Sequence, residues 1–102
     1  MKLESSLLKI QEHFHAVIRN RAGDLIEKHQ VDLPDITSLA VTGNEKQWFP
    51  IPGMYGGFSY WIDAESEELR LISESWCRVV GGSGQRHIVT AEGSVLDAEG
   101  FV

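Results

Sequence analysis

Leu69-Arg-Leu-Ile-Ser-Glu-Ser-Trp-Cys-Arg-Val-Val80 is the longest β-prone run of the chain, and its alternation decides how the fold is read. Successive side chains on a strand point to opposite faces. Leu69, Leu71, Ser73, Ser75, Cys77 and Val79 therefore share one face, and Arg70, Ile72, Glu74, Trp76, Arg78 and Val80 the other. Both faces carry large apolar groups, so both need a cover. A helix can supply one; a partner, a ligand or a second copy of the chain is expected on the other.

The helix is legible at the start of the chain. Leu3, Leu7, Ile10, Phe14, Val17, Ile18, Leu25 and Ile26 recur at helical spacing and form one broad stripe, with Lys9, Glu12, Arg19, Asn20 and Glu27 outside it. Gly23-Asp24 interrupts the run. Glycine there costs about 1 kcal/mol relative to alanine, which leaves one kinked helix or two, the second capped by Asp24. Pro34 closes the helical region by about residues 29–31, because the residue before a proline avoids the α region. Arg21 falls inside the apolar stripe with Ile10, Phe14 and Leu25. Its charge either snorkels out past the helix end or pairs beneath the helix with an acid such as Glu74. In the second case a pocket between helix and sheet takes a polar or anionic ligand, with Arg21, Tyr60, Glu74 and His87 as its polar groups and Gln11 on the same side.

From Asp35 onward the pattern changes to short runs at residues 36–41, 58–62, 69–80, 86–91 and 94–96, with turn signals at 63–68, 81–84 and 92–93. Such close spacing gives hairpins rather than parallel crossovers. The expected fold is a single α+β domain over residues 1–102, helical in 1–30 and a curved antiparallel meander of four to five strands in 35–102. That element order resembles cystatin-like and NTF2-like folds as an architectural analogy, which implies a fold and carries no function.

Six of the nine aromatic residues lie in Trp48-Phe-Pro-Ile-Pro-Gly-Met-Tyr-Gly-Gly-Phe-Ser-Tyr-Trp61. Phe58, Tyr60 and Ile62 alternate with Ser59 and Trp61 as on a strand packed against a core. The two prolines before them forbid a central strand, so Trp48, Phe49 and Tyr55 are expected on an edge or loop, either as contacts for a partner or folded back on the core.

Composition narrows the function classes. The chain has 102 residues, 42% of them apolar, enough for one core without staples. Its formal charge of −6 disfavours nucleic-acid binding, which relies on lysine and arginine neutralising phosphates, and suits a basic protein partner. Residues 1–10 lack the continuous apolar core of a signal peptide, and no run approaches the about 18 apolar residues that span a bilayer. A cytoplasmic location and no membrane partner are therefore expected. Cys77 is the only cysteine, which excludes an intrachain disulfide and a zinc-type Cys/His cluster.

The remaining constellations are weak. Gly81-Gly-Ser-Gly-Gln-Arg86 lacks the lysine and following helix of a phosphate loop and reads as a hairpin loop. Cys77 and His87 lie on runs joined by that loop. With the turn centred at 82–83, Cys77 pairs near Ile88 and its side chain points away from that of His87, against a catalytic dyad. His13 and His15 project about 200° apart on a helix and share no metal. The acids in 63–68 lack the order of a calcium loop.

The expectation is thus a non-catalytic, acidic interaction protein without cofactor or metal. It binds another protein, as an inhibitor or immunity-type protein would, with Trp48, Phe49, Tyr55, Trp76 and Arg78 as binding residues, and self-associates as a homodimer through the sheet. The alternative is a small-molecule binder or enzyme built on the pocket between helix and sheet.

Overall fold

The computed structural model describes residues 2–38, 45–63, 67–77 and 83–97. Helix α1 (Lys2–His29) buries Leu7, Ile10, Phe14, Val17 and Ile18 of the stripe anticipated from spacing, and Ala22 with them. It is one element with a kink: Ala22 leaves helical geometry (φ −139°, ψ 23°) immediately before Gly23. The helix stops at Gln30, which adopts the left-handed conformation (φ 51°). The Val31 amide then donates to the Ile26 carbonyl at 3.0 Å and the Gln30 amide to Glu27 at 3.3 Å. This paired closure satisfies carbonyls that the last turn would otherwise leave open.

The strand expected at 36–41 is not formed at its start. Ile36–Ser38 is a 3-10 turn, and residues 39–41 lie outside the described residues. Local hydrogen bonds explain the difference. Asp35 accepts from the Thr37 amide at 3.0 Å and its hydroxyl at 2.6 Å, and the Ile36 amide donates to Gln11 Oε1 at 2.8 Å. A short polar side chain that captures its own backbone competes with a ladder. Those Thr37 bonds, the hydroxyl's first, hold the Asp35 carboxyl below its ordinary range. Gln11, expected to open the pocket, is instead used in pinning Ile36 into the core.

Among the described residues, five antiparallel strands follow in chain order as an open sheet: β1 (Gln47–Ile51), β2 (Gly56–Asp63), β3 (Arg70–Cys77), β4 (Ser83–Thr90) and β5 (Gly93–Leu96). β1 takes an edge, the position at which Pro50 costs no central ladder bond. The β1–β2 turn needs positive φ at Gly53 (83°) and at Tyr55 (56°). Beyond it, a Cβ on Gly56 would collide with the Trp76 carbonyl oxygen and one on Gly57 with the Phe49 carbonyl oxygen. The glycine pair is therefore what lets β1, β2 and β3 approach one another there.

α1 packs on one face of the sheet. Phe14 meets Phe58 edge-on at 6.4 Å between ring centroids and Tyr60 at 5.0 Å, above Ile62, Leu71 and Val89. Each such side chain contributes about 1.5–3 kcal/mol on burial, so this layer carries the stability. Among the described residues no helix is long and apolar enough to cross a membrane.

Candidate binding face and polar pocket

Strand register sorts the chemistry onto two faces. Tyr60 pairs with Ser73 and Ser73 with His87; Trp61 pairs with Ile72, Ile72 with Ile88, and Ile88 with Val95. The first row lies under α1 and the second on the side that, among the described residues, no helix covers. Trp48, opposite Ser59 and next to Glu74 in the ladder, belongs to the uncovered side, as does Trp76. All three tryptophans of the chain therefore share the helix-free face.

That face has an electrostatic centre. Glu74 is 5% exposed although, among the described residues, no helix lies over it. Its Oε2 accepts from Arg86 Nε at 3.1 Å and Nη2 at 2.5 Å, while Lys46 Nζ stands 3.8 Å from Oε1 and 4.7 Å from the centre of the Trp61 ring. Arg86 also reaches Asp97 at 3.5 Å, and Arg70 donates to Asp63 at 2.7 Å. The hydrogen bonds to Glu74 raise the Arg86 pKa, so the guanidinium stays charged. Around this network stand half-buried Trp61, Trp76 and Ile88, buried Ile72, and Trp48 and Val95 at 53% and 62% exposure.

The expected contact residues separate accordingly. Trp48 and Trp76 share the helix-free face, and Tyr55, 74% exposed in its strained left-handed conformation, projects from the turn at its border. Phe49 is a correction: it turns to the helix side and packs against the core, because neighbours on a strand point oppositely. Arg78 lies outside the described residues. Trp61, Lys46 and Arg86 were not singled out from sequence. For Trp61 the signal was available, since it alternates with the core residues Tyr60 and Ile62.

The pocket residues also divide. A cavity of about 380 Å³ lies between α1 and β4–β5, lined by Val17, Asn20, Arg21, Gln85, His87 and Ser94. Arg21 and His87 do meet there. Glu74 does not join them, and the Arg21–Glu74 pair beneath the helix is absent because even-numbered β3 residues face away from α1. Tyr60 is on the helix side but packs on Phe14 rather than lining the cavity; burial pushes its hydroxyl above the ordinary range. Burial and, secondarily, the Arg21 charge push His87 below its ordinary value.

The thiol–imidazole geometry differs from the one expected. The described strands pair Cys77 with Ser83, not with a residue near Ile88, so Cys77 and His87 share a face. They remain four positions apart, about 13 Å along the strands. Cys77 Sγ instead lies 3.5 Å from the Met54 carbonyl oxygen. Among the described residues no group of histidine, cysteine and acids is arranged to hold a metal ion.

A scan against protein-family models and searches of curated proteins and of solved structures return no match to this chain.

Proposed function

We propose that the protein is a non-catalytic interaction module that associates with a second copy of itself through the helix-free sheet face. The observation that carries this reading is the gathering of Trp48, Trp61 and Trp76 on that face around internally paired charges. Tryptophan exposes more apolar area than any other side chain and dominates the energetics of interfaces.

Charge selects the occupant. Among the described residues the face carries Lys46, Arg70 and Arg86 in ion pairs with Asp63, Glu74 and Asp97, so these charges cancel, whereas the chain as a whole carries a formal −6. Two copies can meet there without opposing like charges, whereas a basic partner such as an immunity-type protein would meet is drawn to the remaining, acidic surface. Strand spacing and length give the face about 500 Å². That is short of the about 800 Å² per partner of a stable complex, so the dimer is expected in the micromolar range. The helix-on-meander order shared with cystatin-like and NTF2-like folds adds nothing to this reading, as a fold does not specify a function.

Sedimentation velocity from about 1 to 100 μM tests it. A concentration-dependent dimer, abolished by Trp48→Arg and retained by the helix-surface control Leu8→Arg, is expected. A monomer at every concentration would sink the proposal.

A further inference from the structure

The cavity between α1 and β4–β5 lies on the other side of the sheet from the tryptophan face, and its chemistry is different. Asn20 and Arg21 come from α1 just before the kink, Gln85 and His87 from alternate positions of β4, and Ser94 from β5. Three elements thus bring one guanidinium, one imidazole, two amides and a hydroxyl to one concavity of about 380 Å³. Val17 is its apolar wall, and none of these lining residues is an acid. The volume is at the lower end for small-molecule sites, suited to a compact polar ligand.

A second observation comes from the strand beside the cavity wall. Ser73 is the ladder partner of His87 on the helix side and is 1% exposed. Its hydroxyl has no hydrogen-bond partner among the described residues. A buried hydroxyl without a partner is uncommon and points to a water or ligand atom that completes it. By contrast its neighbour Ser75, equally buried, donates to the Gln85 carbonyl at 3.4 Å. The unsatisfied position is therefore specific to the row that leads to His87.

We infer that this cavity binds a small oxyanion, a carboxylate or phosphate group on a compact ligand, with Arg21 as its anchoring charge and Gln85, His87, Asn20 and Ser94 as orienting donors. A planar guanidinium is the side chain best matched to either oxyanion. Among the described residues, the charged group that faces His87 is Arg21 of α1; the neighbouring strands present Ser73, Ser94 and Leu96, none of which titrates near neutrality. Arg21 helps keep the free imidazole neutral. An anion between them offsets that repulsion, so binding takes up a proton at His87 and tightens as pH falls.

The test is an NMR titration of the full chain, following the His87 imidazole at about pH 6.5. Inorganic phosphate and malonate are the two probes, with chloride holding ionic strength constant. Saturable movement of His87 with malonate alone identifies a carboxylate site, with phosphate alone a phosphate site, and with both a general oxyanion site; each supports the inference. Arg21→Met is expected to weaken the response by about tenfold, with Arg21→Lys retaining part of it should the methionine variant fold poorly. His87→Gln, read at the Gln85 amide, is expected to remove the pH dependence of binding. Absence of a His87 response to either probe, or an affinity unchanged in both Arg21 variants, would overturn it.

Discussion

The two faces of this sheet are made by the same strands and differ in nearly every physical respect. Under α1, Phe14, Phe58, Ile62, Leu71 and Val89 are closed from water, and the guanidinium of Arg21 and the imidazole of His87 stand at the margin, in the cavity they line. On the other side the large rings remain partly open and the charges sit at the centre, where Glu74 is enclosed by Arg86 and Lys46. A core excludes charge because solvation is lost. A face that pairs its charges internally while leaving tryptophan exposed is stable alone and still has apolar area to gain from a partner.

The sharpest way to break this contrast is to truncate one ring on each face. Phe58→Ala should cost about 3–5 kcal/mol in denaturant unfolding, because it empties the layer beneath Phe14. Trp48→Ala should change monomer stability by no more than about 0.5 kcal/mol, since the ring is half exposed, while weakening self-association. Equal costs at the two positions would mean that the faces are energetically alike.

Backbone fit comes next. Gly57→Ala drives a Cβ into the Phe49 carbonyl oxygen and to 2.8 Å from Pro50 Cα, so a loss of about 1–3 kcal/mol is expected, together with faster amide exchange across β1. Unchanged exchange would show that β1 shifts freely.

Much of this arrangement is legible in sequence, and its failures have local causes. The helical stripe, the meander and the two-faced character of β3 follow from periods of 3.6 and 2, which are set by backbone geometry alone. Residues 36–38 misled because Ile36, Thr37 and Ser38 have strand-like or neutral preferences, whereas Asp35 and Gln11 capture the amides of Thr37 and Ile36. The β3–β4 register differs from the one a turn centred at 82–83 predicts by an odd number of residues, enough to reverse the relative facing of Cys77 and His87. Chemistry alone puts Glu74 in the pocket, whereas its parity with Trp76 puts it on the opposite face. The Arg86 and Lys46 partners arise from tertiary pairing, for which no short-range pattern exists.

Glu74→Gln tests the electrostatic centre. Removing its charge leaves Arg86 with a weaker acceptor, and a loss of about 1–2 kcal/mol is expected, less at high salt. A smaller effect marks the polar margin beneath α1. Because the folded pKa of His87 is lowered from 6.5, the unfolded chain takes up this proton first as pH falls. This contribution is whole above about pH 6.5 and is lost as pH drops through the folded value; His87→Gln should flatten that slope in thermal melts.

The most direct measurement of the central claim is a dilution series followed by the three indole N–H signals in proton–nitrogen NMR spectra. If the helix-free face joins two copies, the signals of Trp48, Trp61 and Trp76 move together along one micromolar isotherm while the amides of α1 around Phe14 stay still. Indole signals that do not move with concentration, or movement confined to α1, would contradict it.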